Sequence, residues 1–190
     1  MQQSRSYSTC NKIEMKIVTE TERLIIRHYK EEDFSAFAEM NADEKVMEHF
    51  PSVLSEKESL AMFEKLNIRL DKTGKCFWAA ELKENNDFIG FIGLSEPNFE
   101  ADFIPCTEIG LRLRSKYWGL GYATEGAKAC LEVGWNQFGL EEILSFAVKG
   151  NLPSIHVMRK IGMSYDKNFI HPQLHKWPEL EECVLYRVQK

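Results

Sequence analysis

Between Thr107 and Gly139 the hydrophobic period changes from that of a strand to that of a helix across a loop holding two glycines, and such a unit belongs in a layered α/β fold. Thr107–Glu108–Ile109–Gly110–Leu111–Arg112–Leu113 alternates as a strand does. After the loop Lys116–Tyr117–Trp118–Gly119–Leu120–Gly121–Tyr122–Ala123, the residues Ala127, Cys130, Leu131, Gly134, Trp135 and Phe138 recur at helical spacing from Thr124 onward, and Gly139 stands where a left-handed C-terminal residue belongs. Glycine lets a backbone approach a ligand closely, and free N–H groups at a helix start attract an anion, so a phosphate cradle is the functional reading of this loop. Two glycines can equally serve only to shape a tight turn. The loop lacks the downstream Gly-Lys-Ser/Thr of a P-loop, and Thr124 occupies the place of the third glycine in a dinucleotide fingerprint, which argues against nucleoside triphosphates and NAD.

The flanking segments decide between sheet types. Leu24–Ile25–Ile26–Arg27 reads as a strand, followed by the acidic Glu31–Glu32–Asp33 and a helix carrying Phe34, Phe37 and Met40. Ser55 with Glu58 three residues on forms a capping box, and Leu60, Phe63, Leu66 and Leu70 give that helix an apolar face until Gly74. Residues 77–82 and 88–94 flank the turn-rich Glu84–Asn85–Asn86–Asp87 as a β-hairpin, and residues 95–105 read as a loop. Ile143–Val148 fits a buried strand, Pro153 the first turn of a helix, Gly162 its stop, and Met163–Tyr165 and Val184–Val188 two last strands. Hairpins in the front half fit a doubly wound parallel fold badly. The expectation is one α/β domain, with a mixed and largely antiparallel central sheet flanked by helices, over residues 21–190 and a flexible polar tail over residues 1–20.

A chain of 190 residues buries about 70% of its unfolded surface and needs no staple. The five cysteines, Cys10, Cys76, Cys106, Cys130 and Cys183, are scattered with no C-x-x-C pair, which indicates neither a disulfide framework nor a zinc site and points to reduced thiols in a cytoplasm. A net charge of -5 without a Lys/Arg block argues against nucleic acid, and no apolar stretch is long enough to span a membrane. His171 and His175 are separated by Pro172, which argues against a helical metal pair, and no metal site is expected. An acyl-cysteine at Cys106 or Cys130 would need an activating histidine, and none lies in an evident partner motif.

The glycine loop resembles the acyl-CoA loop of the GNAT acetyltransferases, R/Q-x-x-G-x-G/A, with Lys116 at the basic first position and Gly119 and Gly121 at the small ones. Asn151–Leu152–Pro153–Ser154 followed by Met158–Arg159–Lys160–Ile161–Gly162–Met163 resembles the N-x-x-S…K-x-G-F/M segment of the same family, in the expected order. The Trp-Gly-x-Gly-Tyr-Ala-Thr-Glu wording after Thr107–Glu108–Ile109–Gly110 resembles the branch of ribosomal-protein N-terminal acetyltransferases, and the resemblance runs from about Thr21 to Lys190.

What the resemblance implies is a splayed GNAT-like sheet with acetyl-CoA as cosubstrate and an amine acceptor, either a protein N-terminus or a small molecule. Pantetheine would pair with backbone around Ile109, Leu111 and Leu113. Lys116, Tyr117, Trp118, Gly119, Leu120, Gly121, Tyr122, Ala123 and Thr124 would hold the pyrophosphate, with Asn151, Ser154 and Met158 lining the arm. Glu108 is the candidate base, through a water, set against a solvated or salt-bridged strand residue. Ser154 is the candidate thiolate donor and Asn151 would hold pantetheine or a water, set against helix capping for both. Met158 replaces the tyrosine acid of many members, so Ser154 or solvent must protonate the sulfur. The rival readings are a catalytically weak acyl-CoA sensor and, more remotely, a nucleotide-binding module. The acceptor pocket is expected among residues 49–51, 95–105 and 169–178.

Overall fold

The computed structural model describes residues 16–190. Strands β1 (Ile17–Glu20) and β2 (Leu24–Arg27) are followed by helices α1 (Asp33–Ala42) and α2 (Glu56–Thr73), then by β3 (Phe77–Leu82), β4 (Phe88–Ser95) and β5 (Glu108–Leu113). Helix α3 (Tyr122–Gln137), β6 (Glu142–Val148), α4 (Leu152–Lys160), β7 (Ser164–Ile170), the short α5 (Pro178–Glu181) and β8 (Glu182–Gln189) complete the chain. The sheet has eight strands in the order β1-β2-β3-β4-β5-β6-β8-β7. Every neighbouring pair is antiparallel except β5 and β6, which run parallel because α3 carries the chain back between them.

Side-chain parity assigns the two faces. In β4, Phe91 meets Phe37 of α1, whereas Ile92 lies under Gly126 of α3. Residues paired across antiparallel strands share a face, so Ile109, Leu111 and Leu113 point with Ile92 and Leu94 toward α3. Glu108, Gly110 and Arg112 point toward α1 and α2. The α1–α2 side is an aromatic layer in which Phe37 and Phe63 meet edge to face at 5.4 Å.

Beneath that layer Arg27 is buried with two carboxylates: Nη1 and Nη2 donate to Asp33, and Nε and Nη2 reach Glu81. This ties the end of β2 to the start of α1 and to β3. Asp33, read from sequence only as a favourable first-turn charge, therefore serves a buried ion pair. Ser55 and Glu58 form the capping box at α2, and Gly139 (φ 64°) and Gly162 (φ 91°) take left-handed backbone after α3 and α4.

Two expectations change. The sheet begins inside the supposed tail, since Ile17–Glu20 pairs with β2; residues 1–15 lie outside the described part of the chain. The strand expected at Met163–Tyr165 runs instead from Ser164 to Ile170, because Met163 is buried in the turn and pairing with β8 carries on past Tyr165. Helix α5 is four residues long, too short to leave a periodic signal. No helix among the described residues is long and apolar enough to cross a membrane.

Candidate active site

The parallel ladder between β5 and β6 consists of one registered pair, Glu108 with Leu144, after which the strands part. Arg114 N–H donates to Ile89 O, so alternation along an antiparallel pair turns the N–H and C=O of Ile109, Leu111 and Leu113 away from β4, toward the opening. Two of those groups are already engaged: Ser145 Oγ donates to Ile109 O at 2.9 Å, and the Trp118 indole donates to Leu113 O at 2.8 Å. Leu111 keeps both its N–H and its C=O on the open edge. Its side chain, like that of Leu113, belongs to the α3 face.

Because β5 and β6 are parallel, the loop after β5 and the start of α4 after β6 flank the same open end of the cleft. In the loop, a 3₁₀ turn at Ser115–Tyr117 precedes Gly119 (φ 75°) and Gly121 (φ 87°). Both angles lie where L side chains are strained, and a Cβ on Gly119 would meet nothing within 4 Å. No side chain caps α3, and among the described residues the amides of residues 119–124 donate to no protein acceptor. A run of free amides at a sixteen-residue helix can receive an anion by both hydrogen bonding and dipole.

The side chains around this loop brace it. Tyr117 is buried and donates to Asp87 at 2.5 Å, Lys116 is exposed beside the same carboxylate at 3.8 Å, and Trp118 is exposed apart from its indole N–H. Glu125, in the first turn of α3, would oppose an anion there, but Arg23 holds it at 2.6 Å and Thr21 donates to it at 2.5 Å. Arg23 also lies 4.4 Å from the Tyr122 ring centre and donates to Leu120 O. Nothing local in the sequence marks Arg23, whose tie to α3 spans 102 positions.

Glu108 sits at the closed end of the cleft, where the strands part. Among the described residues its carboxyl has no hydrogen bond or ion pair, and burial pushes its pKa up to about 7 against a weaker opposing pull from Arg69 of α2. Its salt-bridged alternative finds no partner. Asn151 caps α4, its Oδ1 accepting from the Ser154 amide at 3.1 Å, which is the capping role set against its binding one. Ser154 contributes only its backbone to that cap, leaving its hydroxyl unengaged. Met158 is 3% exposed and packed in the main core, where a thioether offers no proton and no open contact to a cofactor arm.

The loops expected around the acceptor come together in two groups. Phe50 lies over Arg112, while Phe99 of the 95–105 loop packs on Phe169 and His171, with the His171 ring centre 4.4 Å away. Gln173 donates to Asn98 O, joining the two loops directly. A groove of about 690 Å³ lined by Leu152, His156, Tyr165 and Tyr186 lies between α4 and strands β7 and β8, with no β5 residue in its lining. Among the described residues no group of three His, Cys, Asp or Glu side chains could hold a metal ion.

A mixed sheet that parts between two parallel strands, with a bare helix start at the open end, defines an acyltransferase-type α/β fold. A sequence model of the acetyltransferase (GNAT) domain matches residues 23–164. The uncharacterized N-acetyltransferase YnaD of Bacillus subtilis is 32% identical over 87% of this chain and 95% of its own. A GNAT-family acetyltransferase from Bacillus anthracis superposes with a TM-score of 0.74 at 28% identity, covering 90% of this chain and 96% of that one. The RimL ribosomal L7/L12 alpha-N-protein acetyltransferase shares the fold at a TM-score of 0.75 and 13% identity, over 93% and 95% of the two chains. The protein belongs to the GNAT acetyltransferase family and is an acyl-CoA-dependent N-acetyltransferase.

Proposed function

We propose that this enzyme transfers the acetyl group of acetyl-CoA to a primary amine, of a protein N-terminus or a small molecule, by direct attack in a ternary complex. The observation that carries the reading is the alignment of three features along one cleft: free amides 119–124 at its open end, the Leu111 backbone along its edge, and the desolvated Glu108 carboxyl at its closed end. The amides would receive the pyrophosphate and Leu111 would pair with a pantetheine amide. The thioester is thereby directed toward Glu108.

Acyl transfer needs a free amine, so the ammonium proton must leave before the nitrogen attacks the thioester carbon. A carboxyl titrating near 7 is suited to accept that proton, through a water, at neutral pH. Collapse of the tetrahedral adduct breaks the C–S bond, and the departing sulfur takes a proton from Ser154 Oγ or from solvent. Met158 supplies none. The four described cysteines are unpaired thiols, Cys130 with its pKa well above the usual range by complete burial, which supports a reducing cytoplasmic setting and makes an acyl-cysteine there chemically unfavourable. We take the catalytic domain to begin at Ile17, since β1 is part of the sheet.

CoA release in the presence of acetyl-CoA and a panel of peptides, polyamines and amino sugars tests the reading. Acetylated product from at least one amine class is expected. Binding of acetyl-CoA without amine-dependent release from any class would favour the sensor reading instead.

A further inference from the structure

The face of β5 that carries Glu108 also carries a second half-buried charge, Arg112, two positions beyond Gly110. The molecule supplies its own comparison. Arg27 is buried against two carboxylates, as a guanidinium removed from water requires. Arg112 has none among the described residues. Its Nη1 donates to Asn41 Oδ1 at 2.6 Å, its Nε is buried without a partner, and its Nη2 donates to nothing in the protein. Three acidic side chains of α1 and the turn after it are committed elsewhere, Asp33 to Arg27, Glu39 to Arg114 and Asp43 to Ser115, and the other two, Glu44 and Glu48, are exposed.

Desolvation drives the guanidinium pKa down to about 10, against a weaker opposing pull from Tyr29. The side chain is nevertheless held in place, with Phe50 4.2 Å and Phe91 5.4 Å from the guanidinium carbon to ring centre. The unpartnered Nε and Nη2 are the two donors of the fork that accepts a carboxylate side-on. Between Arg112 and Glu108 the floor is apolar: the Phe77 ring stacks on Phe91 at 5.4 Å and would lie 2.8 Å from a Cβ on Gly110, so that position has room only for glycine. Four residues along a strand separate the two ends by about 13 Å between Cα positions, before the side chains lean inward.

We propose that Arg112 is the specificity residue of the acceptor pocket, and that the acceptor is a small amine carrying a terminal carboxylate across an apolar spacer. The amine lies toward Glu108 and the carboxylate in the Nε–Nη2 fork. The proposal rests on the acetyl-transfer reading above and names its substrate class. A neutral amine would leave the guanidinium as poorly solvated as it is in the free protein. A carboxylate completes the pair that Arg27 has built in.

The test uses the full chain with acetyl-CoA and a homologous series of ω-amino carboxylic acids, each matched to its primary amide, with aspartate-terminated peptides as a separate arm. A charge-assisted pair in the acid is replaced by a neutral hydrogen bond in the amide, so for the best spacer kcat/KM should favour the acid over its amide by about 10-fold or more. Arg112→Gln should bring that ratio to near one through KM, with acetyl-CoA affinity unaltered, and Arg112→Lys should keep part of the preference. If Arg112→Gln melts before assay, Arg112→Lys and wild-type melting of the CoA complex with acid or amide carry the decision. Equal use of acid and amide by the wild type, no acid-specific melting shift, or preference only for the peptides overturns the proposal. Absence of any acetyl-CoA binding overturns the acetyl-transfer reading instead, so the two failures are separable.

Discussion

Glu108 shows how one carboxyl acquires a role from its surroundings. A glutamate on an alternating strand titrates ordinarily in water; here burial holds its pKa up to about 7 with no hydrogen bond to the charged form. If it accepts the amine proton, kcat/KM of the wild type rises through an ionisation near pH 7. Glu108→Gln should remove that ionisation and lower turnover roughly 10²–10⁴-fold while leaving acetyl-CoA affinity nearly intact, as a pH-rate profile with parallel binding titrations will show. The same shift has a stability consequence. Between the unfolded carboxyl range and about 7 the folded state retains a proton that the unfolded state has lost, so folding weakens as pH rises through that window. Relative to wild type, Glu108→Gln should therefore gain stability above pH 7, on the order of 3 kcal/mol, and the gain should disappear in acid; equal melts at both pH values would contradict the desolvated geometry. Ser154 and Asn151 are separable in the same spirit. Asn151→Ala removes the α4 cap and should cost about 1 kcal/mol, whereas Ser154→Ala leaves the melt unchanged and slows only the chemical step.

At the scale of elements, the loop and α3 act as one unit whose free amides depend on backbone conformation. Gly121 has φ 87° with Arg23 Nη2 3.3 Å from where a Cβ would sit, so Gly121→Val strains the turn by about 1–2 kcal/mol and crowds the brace. We expect the fold to survive and CoA affinity to fall at least about 10-fold, since reorienting one amide misplaces its neighbours. Arg23 tests the electrostatic half of the unit. Arg23→Ala leaves the Glu125 carboxylate unneutralised in the first turn of α3, opposing a phosphate, and should weaken CoA binding several-fold. Adding Glu125→Gln should restore part of that loss; titration of the double variant decides, and no recovery would mean that Arg23 acts through loop packing alone.

For the whole molecule, the opening between β5 and β6 leaves a wedge in an otherwise continuous sheet, and a ligand filling it should bind only the folded state. Acetyl-CoA or CoA at about 100 times its Kd should add about 2.7 kcal/mol, a melting shift of roughly 5–10 °C for a chain of this length, and NAD should add none. Calorimetry with the three ligands measures this directly. A saturating CoA concentration that leaves the melt unmoved would count against the cleft as the cofactor site.

Much of this architecture follows from local chemistry that any stretch of sequence carries with it. The hairpin at residues 77–94, the capping box at Ser55 and Glu58, the alternation of residues 108–113 and the glycine turn into α3 each depend on neighbours within a few positions. Those local signals were enough for the order of elements and for the resemblance to the family. The opening between β5 and β6 was legible only through that resemblance, because it depends on where two strands stop pairing. The partners of Arg23, Arg27 and Arg112 were not legible at all. Arg27 meets Glu81 across 54 positions and Arg112 meets Asn41 across 71, and an arginine on a strand reads the same whether a carboxylate awaits it or not. Sequence determined which elements form, because hydrophobic period and turn chemistry are short-range. Tertiary structure alone decided which charges are buried, which are paired and which are left open, because desolvation and ion pairing are set by groups that the chain brings together only on folding.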